Sequence, residues 1–402
     1  RRIIEVCENL DIGFKLLPGI REVIEGDSFI HHLREVRLKD LLGRNPIKLE
    51  LPELSTDIEG QTVLITGAAG SIGSELARQI ALHVPGKLIL VDQAETPLYY
   101  IDLELGKKYP DLDVEACLID VTDGTRIDQL FALHQPSRVF HAAAYKHVPM
   151  MEAHPRAAVH NNVLGTWLVA KAAGEHGAKR FILVSSDKAV RPANVMGATK
   201  RIAELVTLHL QDSYPNTAFG AVRFGNVLGS NGSVIPLFKR QLEAGEPLTV
   251  THEEVSRFFM TIPEAVQLNL QASLLPRIKG GITMLEMGEP VPIMELAKNL
   301  LRLSGKGARV GRDIVITGLR PGEKLHEELT GTDEKSIKTG IEKVYLLDTT
   351  VSELPEPIAI AIEGGRIADI LAYLRSEIME VDLGTEVVID WEKPVAQGVG
   401  SN

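Results

Sequence analysis

Ser186, Asp187 and Lys188 follow directly on FILVS, an apolar, β-branched run that reads as a buried strand. Lys200 lies twelve positions beyond Lys188, and Met196 stands four before Lys200. A hydroxyl, a carboxyl and an amine side by side at a strand end are the group types of general acid–base chemistry. Asp187 can hold or give a proton, Lys188 can take one, and Ser186 can relay one. For Lys188 to work as a base near neutral pH, burial or a neighbouring cation has to lower its pKa, and Lys200 is one such cation. Met196 transfers no protons. The plain alternative is a solvated ion pair.

The elements that would position these residues are legible from Gln61 onward. TVLIT, KLILVD, VEACLID, RVFHAAA, KRFILVS and FGAVRFG read as short apolar strands, and the first five are each followed by a helical pattern such as SELARQIAL or TWLVAKAAGEHG. Such alternation predicts an α/β fold with a parallel sheet covered on both faces. We expect this nucleotide-binding domain over 55–226. A smaller, mainly helical substrate-binding lobe is expected over 227–335 (GSVIPLFKRQLEAG, IPEAVQLNLQASL, IMELAKNLLRL), with strands that can return to the main sheet. Residues 336–402 form a C-terminal extension with mixed signals. Residues 1–54 read as the end of a preceding, partial α/β unit, and LELPELSTDIEG (49–60) as a linker.

Bulk properties narrow the function. At 402 residues the chain has room for two or three domains, and its 44% hydrophobic and 24% charged residues are those of a globular protein. A net charge of −11 argues against nucleic acid and gives no support for membrane-surface binding. No apolar run reaches the ~18 residues of a membrane helix, and there is no signal-peptide pattern. The start at Arg1-Arg2 without Met is that expected of a piece of a longer protein, so the full-length molecule can still carry a membrane segment. With Cys7 and Cys117 alone, a reducing compartment and no structural disulfide are expected. His141, His147, His154 and His160 form no metal-ligand pattern, and no metal is expected.

TVLITGAAGSIGSELARQI places Gly67, Gly70 and Gly73 between a strand and a helix, with Ser71 and Ile72 opening that helix. Glycines there let the backbone turn and approach a pyrophosphate, and the helix start offers unpaired N–H groups. The pattern predicts a dinucleotide site in a doubly wound, Rossmann-type sheet. Asp92 ends the next strand, nineteen residues past Gly73, where a carboxylate accepts ribose hydroxyls and repels a 2′-phosphate. NAD is therefore expected rather than NADP. Asp120 and Val121, ending the third strand, suit the adenine. Ala142, Ala143 and Ala144, ending the fourth, allow close approach of the cofactor.

At this point the chain resembles a known family. TGAAGSIGSELARQI, HAAAYKHVPMMEAHP, NNVLGT, SSDKAVRPANVMGATKR, RFGNVLGSNGSVIPLF, RFFMTIPEAVQL and GLRPGEKLHEEL are together similar to capsular-polysaccharide-type nucleotide-sugar 4,6-dehydratases of the extended short-chain dehydrogenase/reductase superfamily. Members normally hold a tyrosine four residues before the lysine, where this chain has Met196. That variant resembles the large, membrane-anchored branch that retains configuration at C5 and carries a second nucleotide-binding-like domain upstream. The resemblance implies a redox-neutral reaction on UDP-N-acetylglucosamine: oxidation at C4, loss of water across C5 and C6, and hydride return to C6.

Under that resemblance Asp187 is the acid for the C6 hydroxyl, Lys188 the C5 base and Ser186 a relay at C4, while Lys200 holds the nicotinamide ribose. Asn226 is implied at the pyrophosphate, Arg257 and Arg320 at phosphate charge, Glu323 at the uridine ribose and Lys146 at the sugar. The implied setting is cytoplasmic, with the full-length protein anchored at the inner face of the inner membrane, a UDP-sugar as partner and a homo-oligomeric state. Three alternatives stay open: a UDP-glucose dehydratase, a UDP-sugar 4-epimerase, and a catalytically silent nucleotide-binding scaffold.

Overall fold

The computed structural model describes residues 52–379 apart from 276–277, 305–307, 333 and 350–353; the expectations for residues 1–51, Cys7 included, and for the tail after 379 lie outside the described residues. Helix α1 (Pro52–Ile58) leads into β1 (Thr62–Thr66), α2 (Ser71–Ala81), β2 (Lys87–Asp92), α3 (Glu95–Lys108), β3 (Val114–Leu118), α4 (Gly124–His134) and β4 (Arg138–His141). A long helical stretch follows: α5 (Val148–Ala153), α6 (Pro155–Val159), a π-helical turn (His160–Leu164) and α7 (Gly165–Glu175). Then come β5 (Arg180–Val184), a 3-10 turn (Asp187–Ala189), α8 (Val195–Ser213) and β6 (Ala218–Arg223).

These six strands pair in parallel in the order β3-β2-β1-β4-β5-β6. Val63, Leu64 and Ile65 of β1 are fully buried, because helices cover both faces of the sheet. Each such side chain contributes roughly 1.5–3 kcal/mol by leaving water. One face is closed by α1, α2 and α3, the other by α4 and α5 to α8. β1 and β4 are neighbours whose following helices go to opposite faces, which opens a crevice at their carboxyl ends.

Beyond β6 the chain forms β7 (Asn226–Leu228), α9 (Val234–Glu243), β8 (Leu248–Val250), β9 (Ser256–Arg257), β10 (Phe259–Thr261), α10 (Ile262–Leu274) and β11 (Gly281–Leu285). It ends in β12 (Val291–Pro292), α11 (Ile293–Leu303), β13 (Ile314–Ile316), β14 (Glu334–Lys338), β15 (Val344–Thr349), α12 (Glu356–Glu363) and α13 (Ile367–Met379). A separate small core of Ile235, Phe238, Leu248, Phe259, Leu296 and Ile314 holds the lobe together.

Three differences from the sequence reading have clear causes. The stretch read as a linker contains α1, because Leu54 and Ile58 share one helix face and are buried against the sheet layer, and Asp57 makes a bidentate pair with Arg138 at 2.7 Å. IPEAVQLNLQASL, read as part of the lobe, forms α10 and packs on α2 and α1, since Ala265, Val266, Leu268 and Leu270 are all apolar and fully buried. β11 returns to the main sheet parallel to β6, as the reading of 227–335 allowed; the difference is that the β14–β15 hairpin, largely from the C-terminal extension, continues the sheet antiparallel, giving nine strands among the described residues. Helix α13 packs on α8 and α6. Among the described residues no helix is long and apolar enough to cross a membrane.

Candidate active site

The crevice at the ends of β1 and β4 opens into a cavity of about 830 Å³, with a recess of about 130 Å³ beside it. The glycine loop forms its floor. Gly67 has φ +66°, and a Cβ there would lie 2.6 Å from the Ala142 carbonyl carbon; a Cβ on Gly73 would lie 2.0 Å from the Gly67 oxygen. These two glycines let the β1 and β4 loops and the first turn of α2 touch. Gly70 differs. It is the N-cap of α2 with no side-chain cap, and a Cβ would meet only the Gly67 oxygen, at 3.2 Å. Its bareness leaves the N–H groups of the helix start uncovered, as a pyrophosphate requires.

Asp92 accepts from the Ala69 N–H through Oδ2 and from the Ala94 N–H through Oδ1, both at 2.9 Å. Each oxygen keeps a lone pair for a ribose hydroxyl. The smaller recess is lined by Asp92, Ile119, Val121 and Ala142 to Ala144. Asp120 is not brought to it, and its Oδ1 is taken by the N–H and hydroxyl of Thr122 at 2.9 and 2.8 Å. The residues present thus fit a dinucleotide with free ribose hydroxyls.

Ser186, Lys188, Met196, Lys200, Asn226 and Lys146 all line the large cavity, as do Gly67, Gly70, Ser71, Ile72 and Gly73. Asp187 lies just behind the wall, fully buried. Its Oδ1 accepts from Ser186 Oγ and Lys188 Nζ, both at 2.9 Å, while Oδ2 is buried without a partner. Gly225 packs there because a Cβ would stand 3.0 Å from that oxygen. Local sequence fixes the arrangement: Ser186 caps the 3-10 turn, and Gly197 lets α8 press on the Lys188 carbonyl, where a Cβ would come within 2.2 Å.

The charge environment corrects one expectation. Burial pushes the Asp187 carboxyl up, and Glu327 adds to this against the pull of Lys188, so Asp187 holds its proton above the ordinary carboxylate range. Burial alone would push Lys188 down, but Asp187 and Glu327 outweigh it and hold the ammonium above its ordinary value. The expected lowering of Lys188 by Lys200 is therefore not found; Lys188 faces anions. Burial instead lowers Lys200, to about 8. Its Nζ donates to the Val184 carbonyl at 2.7 Å, one helical turn from Met196.

Arg257, Arg320 and Glu323 are not brought to the cavity wall. Arg257 donates to the carbonyls of Ser256 and Leu325 at 2.7 and 3.0 Å and to Glu323 at 3.2 Å. Glu323 also accepts from the Thr251 hydroxyl and the Arg320 N–H, so it folds its own loop. The Arg320 side chain is exposed.

Several site residues escaped the sequence reading. Asn162, on the π-helical turn, accepts from the Tyr145 N–H and donates to the Tyr145 carbonyl and Thr199, so it ties the β4 loop to α8. The NNVLGT motif and the apolar surroundings of this amide were its only signal. Asn231 and Ser233 of the GSNGS loop line the cavity, and the Asn231 N–H reaches Ser71 Oγ at 3.2 Å. Glu327 had no signal beyond its place in GLRPGEKLHEEL. His141 is fully buried between Thr66 and Thr166, and burial lowers it to about 3, a structural role. Among the described residues no group of acidic, His or Cys side chains is arranged to hold a metal.

The chain is similar to several known proteins. Residues 63–349 match the family described as polysaccharide biosynthesis protein. The capsular polysaccharide biosynthesis protein CapD of Staphylococcus aureus is 47% identical over 343 residues, 85% of this chain but 57% of CapD, so the chain spans a little over half of that relative. A UDP-N-acetylglucosamine 4,6-dehydratase (inverting) of Campylobacter jejuni is 31% identical over 296 residues, 72% of this chain and 84% of that one. The crystal structure of Pen from Bacillus thuringiensis superposes with a TM-score of 0.66 at 30% identity, over 74% of this chain and 90% of that one.

Proposed function

The chain belongs to the polysaccharide biosynthesis protein family, and from that premise we propose that it binds NAD and converts UDP-N-acetylglucosamine to its 4-keto-6-deoxy derivative with retention at C5. The observation that carries the proposal is the Asp187–Lys188 pair. An acid and an amine share one 2.9 Å hydrogen bond at the wall of a cavity that continues into a dinucleotide crevice. A 4-epimerase has no use for such a pair, and a silent scaffold has no use for a buried carboxyl whose pKa is raised beside an amine.

Bound NAD would take the C4 hydride and return it to C6. The protein's part is to move protons. Lys200, with a pKa of about 8, is the cavity group best poised near neutral pH to receive the C4 hydroxyl proton where no tyrosine stands, with Ser186 as a relay. This extends its expected role of holding the ribose. Once C4 is a ketone, C5–H becomes acidic. A sugar filling the cavity expels water, which disfavours both charges of the Asp187–Lys188 ion pair. The proton then passes from Lys188 Nζ to Asp187 Oδ1, and one transfer makes both the C5 base and the C6 acid. The base takes the C5 proton, the acid protonates the departing C6 hydroxyl, and water leaves. Lys146, drawn below its ordinary value by partial burial, and Asn226 line the cavity, which supports a role for both in contacting the substrate.

The direct test is incubation with UDP-N-acetylglucosamine in deuterated water, followed by proton NMR and mass spectrometry. The expected product is lighter by one water, carries a C6 methyl group and has deuterium at C5, with the coupling pattern of retention. An altered C4 epimer, or unchanged sugar in protein shown to hold NAD, overturns the proposal. For the cofactor, Asp92→Asn is expected to weaken NAD binding to nucleotide-free protein by roughly tenfold or more in calorimetry, as loss of a charge-assisted hydrogen bond does. Equal affinities would remove Asp92 from the ribose.

A further inference from the structure

Lys188 Nζ is surrounded by three oxygens: Asp187 Oδ1 at 2.9 Å, Asn226 Oδ1 at 3.2 Å and Glu327 Oε1 at 3.4 Å. The first two come from the strand ends that build the cavity. The third arrives from a loop more than a hundred residues later in the chain, and Glu327 is itself buried. That loop is fastened from several sides. Arg257 Nε lies 3.9 Å from Glu327 Oε1 and its Nη2 3.2 Å from Glu323, Asn194 donates to the Gly322 carbonyl at 2.9 Å, and Lys324 donates to the Val190 carbonyl at 3.1 Å. A carboxylate held this firmly beside a working amine is a fixed charge.

We infer that Glu327 is a positioning residue that fixes Lys188 at the cavity wall and sets the pH range in which the Asp187–Lys188 pair works. The physical reason is its sign. A buried anion makes it harder for Asp187 to lose a proton and harder for Lys188 to lose one, so it moves both titrations upward together. The directions found for the two groups agree, since Glu327 contributes upward to each. Glu327 stays ionised despite burial because Lys188, Arg257 and Lys324 face it. With Asp187, these are the charged groups that act on it among the described residues, and Glu323 balances Arg257 from the other side.

The test compares wild type, Glu327→Gln and Glu327→Asp by two readouts. The first is trace acetylation of Lys188 with acetic anhydride as a function of pH, read by mass spectrometry. It needs no turnover and so does not depend on the dehydratase reading. In Glu327→Gln the labelling midpoint is expected to fall by about one pH unit or more, with Lys188 labelled roughly tenfold faster at neutral pH, and Glu327→Asp is expected to restore most of the shift. The second is the pH profile of kcat with UDP-N-acetylglucosamine, which does rest on that reading. Both limbs are expected to move to lower pH in Glu327→Gln, with kcat at neutral pH reduced about tenfold or more and KM little changed. A labelling midpoint that does not move, or a loss of activity equal at every pH, overturns the inference and leaves Glu327 a packing residue. A labelling midpoint that falls in Glu327→Gln, in protein whose wild type leaves the sugar unchanged, supports the Glu327 contact and counts against the dehydratase reading.

Discussion

Replacing Asp187 by Asn is expected to lower turnover of UDP-N-acetylglucosamine by roughly two to four orders of magnitude, the usual worth of a positioned acid, with NAD still bound. The carboxyl is fully buried and burial pushes its pKa up, so a neutral amide of the same size costs little desolvation there. Asn keeps the size and an acceptor for Ser186 Oγ and Lys188 Nζ, so the fold is expected to hold and melting to change little. What it lacks is a proton to give. The C6 methyl should therefore fail to form. Lys188→Ala should instead block deuterium entry at C5. Near-wild-type turnover in both variants would remove the pair from the chemistry.

The second large effect is on stability. Glu204→Ala is expected to destabilise the protein by about 3–5 kcal/mol, because it strands a buried charge. Arg223 is completely buried and binds Glu204 through Nε and Nη2 at 2.7 and 2.8 Å, while its Nη1 reaches Glu334 at 2.7 Å. Ser185 Oγ completes the cluster at 2.6 Å from Glu204. Burial opposes ionisation of Glu204, but Arg223 outweighs it and holds the carboxyl below its ordinary 4.5. The sign follows. This stabilisation is fully present above pH 4.5, the unfolded value, and is lost as pH falls through the lower folded value. Melting temperatures of wild type should drop across that acid window, and those of Glu204→Ala should be lower at neutral pH and flatter below it. Equal profiles would mean that Glu334 alone satisfies Arg223. Because the Glu204 anion opposes the lowering of Lys200, its loss should also let Lys200 titrate still lower.

Local pattern was enough to read the first six strands and the cofactor loop. A strand, three spaced glycines and a helix leave few conformations, because Gly67 needs a left-handed φ and Gly73 needs contact with the Gly67 oxygen. Asp92 and the alanines after β4 were legible for the same reason: the chain must pass close beneath any ligand at the crevice. Ser186, Asp187, Lys188, Met196 and Lys200 were legible because a strand end and one helical turn bring them together.

The sequence by itself determined the doubly wound sheet, the glycine-loop crevice and the adjacency of Asp187 and Lys188 at a strand end, since each follows from local pattern. Only the tertiary structure decided the directions in which their pKa values move. Asp187 raises Lys188 from the next position in the chain, but the added upward push of Glu327, the lowering of Lys200 by burial and the reach of Arg257 and Glu323 by loop closure leave no trace in local spacing. Charge effects act through space and in a low-dielectric interior over many ångströms, so they become visible only when distant segments are brought side by side.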